Sequence, residues 1–463
     1  MEVKSENKMG IMPEGRLLAG MAIPMMISML VQALYNIVDS IFVAKLGVEA
    51  LTAVTLAFPL QSLMIAFGAG TGVGVNAMLS RYLGEKNFKA ANRTANMSIL
   101  IKFLTSVVFA IIGIFFSSTF FNLQDLSSDS YNVNAVISEG VTYTTICLGA
   151  CLGIFMQFCF ERLLQATGKT THSMIAQMAG AITNVILDPL LIFGIGPFPK
   201  MGVAGAAIAT VTGQFFAALV AFALNLKFNK EISLNIKEVL KPDLKVIKAI
   251  YKIGVPSIIM QSIGSVMTFL LNIILGTLTM VATTVFGVYF KLQSFIFMPI
   301  FGLNNGMVPI ISYNYGANLE SRVKKTIRLS IFSAVAIMLF GLLLLEVIPG
   351  PLLSLFNADE QMLSLGIPAL RIIALHLALA GFCIIAGSVC QAIGNPIHAL
   401  IVSVCRQLVV LIPSAYLLSL TGNVTIVWLA FPIAEVFSLT LSAIFLTKTM
   451  KKATAKMRVA KNV

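Results

Sequence analysis

The stretch Ala181 to Leu191, AITNVILDPLL, puts an aspartate inside a segment that otherwise belongs in hydrocarbon. Asp188 lies deep in the apolar run from Met174 to Phe193, with Asn184 four residues before it and Pro189 directly after. An ionisable side chain at bilayer depth costs roughly 2.5–3.5 kcal/mol even on lenient insertion scales, so it faces a bundle interior or a watery cavity. Pro189 donates no backbone N–H and its ring crowds the carbonyl of Val185, which predicts a bend and a freed carbonyl here. A carboxylate, an amide one turn away and a loosened backbone describe a cation or proton site. The plainer reading is a packing kink whose aspartate is satisfied by Asn184.

Composition extends this reading to the whole chain. Of 463 residues, 58% are hydrophobic and only 11% charged, and the mean hydropathy is +0.92. A soluble domain carries about 25% charged residues, so this is a polytopic membrane protein. Apolar runs long enough to span a bilayer centre near residues 30, 65, 105, 150, 183, 213, 265, 297, 338, 378, 408 and 436. The expected fold is therefore all-α, with twelve transmembrane helices. Long continuous runs exclude a β-barrel, whose strands alternate in short segments.

The net charge of +13 reports topology rather than a nucleic-acid partner. With twelve spans, the basic residues Lys4, Lys8 and Arg16, Arg81 to Arg93, Lys227 to Lys252, Arg322 to Arg328 and Lys448 to Lys461 all fall on one side. The opposite loops carry Asp125, Asp129, Asp359 and Glu360, and only Lys45 and Lys200 dissent. The positive-inside rule then places both termini in the cytoplasm of a multi-pass protein of the cell inner (plasma) membrane. Met1 to Gly15 has no apolar core, so the first span itself directs insertion. The six cysteines lie in apolar segments without CxxC spacing and read as small buried hydrophobes.

The two halves repeat. Shifting the chain by 232 positions aligns residues 24–98 with 256–330 without a gap, matching Pro24 with Pro256, Phe58 with Phe290, Leu60-Gln61-Ser62 with Leu292-Gln293-Ser294, Gly70 with Gly302, Ser80 with Ser312 and Gly84 with Gly316. Gln165-Ala166-Thr167-Gly168 and His172 match Gln391-Ala392-Ile393-Gly394 and His398 at an offset of 226. Six spans separate the copies, so both keep one membrane orientation, the parallel repeat of transporters with a central cavity. The expected organisation is an N-terminal lobe over 1–226, a cytoplasmic amphipathic linker over 227–252, a C-terminal lobe over 253–447 and a basic tail over 448–463.

Few charges lie well inside spans: Asp39, Lys102, Asp188, Lys291, Arg406 and Glu435. Asn36 precedes Asp39 at i, i+3, imitating Asn184 and Asp188. Both aspartates belong in the outer half of the membrane in the first lobe. Two carboxylates on one pocket repel when ionised, so one holds a proton or both share a cation. Asp39 read more plainly is an interfacial cap. Lys291 replaces Pro59 of the first copy and either pairs with an acid across the cleft, with Glu435 as partner, repels cationic cargo, or snorkels to the interface. Arg406 supports packing near the inner end of its span. Gln61, Lys291, Gln293, Met298 and Glu435 are the candidates for a substrate pathway, and the 23 methionines and 32 phenylalanines allow a soft pocket. Walker and His/Glu metal motifs are absent from the sequence, so neither ATP nor a resident cofactor is expected. Gly68 to Gly74 is glycine-rich but lies in a span, where small residues allow close helix approach.

With these residues assembled, the chain resembles the multidrug and toxic compound extrusion (MATE) family over nearly its full length. The resemblance rests on Leu34-Tyr35-Asn36-Ile37-Val38-Asp39, Gln165 to Thr170, Asn184 to Pro189, Gly202 to Thr210, and Pro309 to Ala317. It implies two six-helix lobes, opening alternately, that exchange H+ or Na+ for amphipathic, often cationic compounds. It is similar to the prokaryotic subgroup with an acidic pair in the N-terminal lobe, which carries over to Asp39 and Asp188, with Asn184 and Thr210 as hydrogen-bonding neighbours. If the ion is Na+, Asp39, Asp188 and Asn184 are its ligands. The chain lacks an acid in the middle of span seven, where another subgroup places its coupling residue. The expected function is a secondary multidrug efflux antiporter acting as a monomer, with lipid and small amphipathic cargo as its partners. A flippase for lipid-linked oligosaccharides is the alternative within the superfamily, and a membrane enzyme or receptor the alternative outside it.

Overall fold

The computed structural model describes residues 7–124, 132–356 and 358–461. Lys4, Asp125 and Asp129 lie outside the described residues. All regular structure among the described residues is helical, because a backbone in hydrocarbon must satisfy its own polar groups. Ten helices are long and apolar enough to cross a membrane, and counting each of two bent pairs as one span gives twelve.

The spans are α1 (Glu14–Ala44), α2 (Val48–Gly84), α3 (Phe88–Asn122), α4 (Val133–Gly149 and Leu152–Ala166), α5 (Thr170–Phe193) and α6 (Val203–Phe228). After the linker come α7 (Leu244–Gly276), α8 (Met280–Gly316), α9 (Glu320–Val347), α10 (Glu360–Ala374 and Leu377–Ile393), α11 (Pro396–Ser419) and α12 (Ala430–Lys461). The chain packs as two compact units, Ile27–Gly254 and Met1–Met26 with Val255–Val463. Helix α1 thus gives its first part to one unit and its remainder to the other, and α7 does the same in reverse order.

Equivalent contacts recur in the two copies. Ser80 donates to the carbonyl of Ala166 at 2.9 Å, and Ser312 to that of Ala392 at 3.0 Å. The glycines of the two Gln-Ala-x-Gly blocks, Gly168 and Gly394, take φ of +84° and +93°, a conformation that glycine adopts without a Cβ clash. Helix crossings repeat as well. A Cβ on Gly74 would lie 2.3 Å from the carbonyl oxygen of Ile250, and one on Gly306 would lie 2.7 Å from Cα of Ala22. The glycine-rich run of α2 is therefore a close helix crossing, as its small residues imply.

The bend expected at Pro189 does not break α5, which continues through it to Phe193. Helix α6 grips α5 on both sides of the proline. A Cβ on Gly180 would meet the carbonyl of Gly213 at 2.8 Å, and one on Gly205 would meet that of Leu191 at 2.6 Å. Bends of 42° in α4 and 46° in α10 fall at Ala150 with Cys151 and at Leu375 with His376, equivalent places in the two copies and neither at a proline.

The linker is pinned to α3. Arg93 pairs with Glu238, reaches Asp243 at 3.4 Å and donates to the carbonyl of Lys241 at 2.8 Å, while Asn92 and Asn96 accept from the backbone of Ser233 and Asn235. The opposite face stays apolar and exposed at Ile236, Leu240 and Leu244. The N-terminal segment is held likewise: Asn314 donates to the carbonyl of Met9 at 2.9 Å, Arg322 to that of Met12 at 2.5 Å, and Glu14 pairs with Lys325 at 3.0 Å.

Candidate functional site

Four helices of the unit Ile27–Gly254 contribute polar residues at helical spacing. On α1 these are Ser28, Gln32, Tyr35 and Asp39; on α5, Gln177, Asn184 and Asp188; on α6, Thr210 and Gln214; on α4, Gln157 and Glu161. Steps of three and four keep each set on one face. The glycine contacts between α5 and α6 bring Thr210 to Asn184. Asn184 Nδ2 lies 3.4 Å from Thr210 Oγ1 and 3.3 Å from Asp188 Oδ1, so both hydrogen bonds are long. Gln177 donates to Gln32 at 2.6 Å and accepts from Ser28.

A small cavity opens among Gln32, Tyr35, Gln157, Asn184, Thr210 and Gln214. Asp188 lies behind it, 0% exposed, and Asp39 sits one turn beyond Tyr35. The two carboxylates are within electrostatic reach of each other, and Tyr35 of both. Asp188 Oδ2, Asp39 Oδ1, Asn184 Oδ1 and Gln214 Oε1 are buried oxygens to which the protein donates no hydrogen bond. Buried acceptors left unmet are costly. A proton or a hard cation that takes oxygen donors satisfies this set. Among the described residues no group of three His, Cys, Asp or Glu side chains is placed to hold a metal.

The other sequence candidates are dispersed. Asn36 is exposed although it precedes Asp39 by three residues. Gln61 donates to Tyr143 at 3.2 Å. Lys291 is exposed, its ammonium 5.7 Å from the centre of the Phe356 ring. Glu435 pairs with Arg406 at 3.0 Å, so the pairing with Lys291 is corrected: the guanidinium of α11 takes the carboxylate, and Lys291 turns to an aromatic ring. Gln293 lines a second cavity with Arg406 and Glu435, to which Met298 does not contribute. Lys102, 1% exposed, donates to the carbonyl of Gly68 and to Thr71. Sequence reasoning missed Gln32, Gln157, Gln177 and Gln214. Their signal was present as i, i+4 spacing to Ser28, Glu161, Ser173 and Thr210, but uncharged amides do not stand out in an apolar span.

A family model matches residues 24–190 and 256–417, most of both copies, and it is that of MatE. The chain belongs to the MatE family. This family consists of transporters. A relative within reach is the multidrug export protein MepA of Staphylococcus haemolyticus, 29% identical over 88% of each chain. Another is the FAD transporter of Shewanella oneidensis, 28% identical over 91% of this chain and 92% of that one. Among solved structures, a MOP superfamily transporter from Pyrococcus furiosus superposes with a TM-score of 0.90 at 24% identity, covering 98% of this chain and 99% of its own. A multidrug resistance MATE family transporter in an outward-facing conformation gives the same score and identity over 98% and 100%. At that identity the two structures show the fold, and the MatE architecture accounts for the twelve spans.

Proposed function

We propose that this MatE-family protein exports amphipathic, often cationic compounds from the cell in exchange for H+ or Na+, with Asp39 and Asp188 as the exchanging pair. The observation that carries the proposal is Asp188: a fully buried carboxylate with one oxygen unmet, beside Asn184 and within reach of a second acid. Two acids so placed favour a bound positive ion, and cargo leaving the same protein supplies the exchange. Coupling follows if the two loads favour different arrangements of two six-helix lobes, 1–226 and 253–447. Relatives named for multidrug export support drugs as cargo, and the relative named for FAD supports flat aromatic anions as a second class. The flippase reading wants a strongly cationic chamber, and this cavity is lined by amides, a tyrosine and a threonine, with no lysine or arginine among them.

The loop charges support cytoplasmic termini in the inner membrane, and a monomer suffices because the acidic pair comes from one chain. The test is dye efflux from vesicles containing the purified protein, with a pH gradient or a sodium gradient imposed singly. Efflux driven by one gradient supports exchange and names the ion; efflux indifferent to both defeats the proposal.

A further inference from the structure

The unit containing Val255–Val463 holds a cavity, partly open to its surroundings, whose chemistry differs from that of the acidic pair. Its apolar walls are Phe286, Phe290 and Phe431, with Met267 and Leu411. The three rings belong to one aromatic cluster: Phe286 lies 6.3 Å from Phe290 and 6.2 Å from Phe431, and stacks on Trp428 at 6.4 Å and 22°. Its polar groups converge from four helices as Gln293, His376, Arg406, Gln407 and Glu435, the imidazole packing on Phe431 at 5.9 Å.

The backbone of α11 is shaped for this. Residues Cys405–Leu411 form a π-helical turn, in which the N–H of Ile412 reaches back five residues to the carbonyl of Gln407. Consecutive residues of an α-helix point about 100° apart, yet Arg406 and Gln407 both line the cavity. Single π turns of this kind recur at functional sites.

The charges are unequally presented. Glu435 accepts from Arg406 Nη1 at 3.0 Å and is 2% exposed, whereas the arginine side chain is 29% exposed. The carboxylate lies deeper than the guanidinium it anchors, and its second oxygen accepts no hydrogen bond from the protein. A guanidinium has five N–H donors in a fixed fork, and only one is spent on Glu435. A visitor to the cavity therefore meets cationic donors backed by two amides and walled by rings. An ammonium would be repelled, and a neutral apolar molecule would leave the donors buried and unmet.

We propose that this cavity is a binding site for a small flat aromatic compound carrying a carboxylate or similar anion, with Arg406 holding the anion and Phe286, Phe290 and Phe431 enclosing the ring. Planar bidentate recognition of carboxylates is the task to which arginine is best matched. The site shares no residue with the Asp39 and Asp188 pair and does not depend on the coupling proposal.

The chain carries its own reporter, because Trp428 is its only tryptophan and packs on Phe286. Three isosteric nitroaromatic quenchers are titrated against the purified full chain, with blanks for the detergent: 4-nitrobenzoate, 4-nitrobenzyl alcohol and 4-nitrobenzylammonium. Saturable quenching is expected, with the carboxylate bound at least about 10-fold more tightly than the alcohol and the ammonium weakest. Glu435→Gln, which frees the guanidinium, tightens the carboxylate further. Arg406→Gln with Glu435→Gln removes both charges and leaves no lone buried ion, so the fold is kept; the carboxylate then binds no better than the alcohol. Equal binding of the three quenchers, a preference for the ammonium, a carboxylate preference that survives the double variant, or no saturable quenching overturns the proposal. No gradient is imposed, so failure here leaves ion exchange standing and failure of ion exchange leaves this site standing.

Discussion

Asp188 and Asp39 are chemically identical side chains in different settings. Asp188 is enclosed entirely, with Asn184 as its hydrogen-bonding neighbour, while Asp39 is half-buried with one oxygen sealed. Asparagine keeps the shape and removes the charge, so Asp188→Asn is expected to lower dye extrusion from cells to the background level while the protein still reaches the membrane, as judged by immunoblot of membrane fractions. Asp39→Asn is expected to do the same. If extrusion survives both changes, the pair does not couple. Thr210 acts more weakly, because its bond to Asn184 is 3.4 Å long. A long neutral hydrogen bond contributes at most about 1 kcal/mol, so Thr210→Val is expected to slow extrusion by about fivefold or less.

Helices in this protein are held by close backbone approach and by polar pins at their ends. A methyl group on Gly74 would overlap the carbonyl of Ile250, and overpacking of this kind costs about 1–3 kcal/mol. Gly74→Ala is therefore expected to lower the melting temperature of the solubilised protein, whereas Gly20→Ala, with nothing within 4 Å of the added carbon, leaves it unchanged or slightly raised. At the linker, Arg93 ties Glu238, Lys241 and Asp243 to α3 through partly exposed contacts that solvent screens. Arg93→Gln is expected to increase tryptic cleavage at Lys237 and Lys241 by roughly 5–30-fold. The carboxyl of Asp243 is held below its ordinary range, first by the backbone N–H of Val246 and then by Arg93. A lowered value stabilises the docked state above the unfolded pKa, about 3.9, and that contribution is lost as pH falls through the folded value. Cleavage of the wild-type linker by an acid-active protease is thus expected to stay low at pH 5 and to rise only below about pH 4.

At the scale of the molecule, packing does not follow the repeat boundaries. Met1–Met26 belongs with Val255–Val463, where Gly302 and Gly306 receive the backbone of α1 at Met26 and Ala22. A fragment of residues 255–463 expressed alone lacks that cover and is expected to aggregate on solubilisation. Co-expression with residues 1–254 is expected to recover it as a co-purifying pair. A monodisperse lone fragment would show that the α1 contact is dispensable.

The sequence by itself determined the twelve apolar spans, the duplication and the two aspartates within spans, because hydrophobic length, fixed-offset identity and a charge in hydrocarbon are each properties of the linear chain. Tertiary structure alone decided which polar residues share a chamber. Asn36 and Asp39 are three residues apart, yet Asn36 is exposed while Asp39 is half-buried with one oxygen sealed, and Glu435 has an arginine from the neighbouring span rather than Lys291 as its partner. The unbroken helix through Pro189 and the Arg406 cavity likewise appear only in the folded chain, where α6 grips α5 and α11 widens into a π turn. Those outcomes depend on distances between segments far apart in the chain, and in a span that is apolar on every side, helical periodicity carries little record of which face finds a partner.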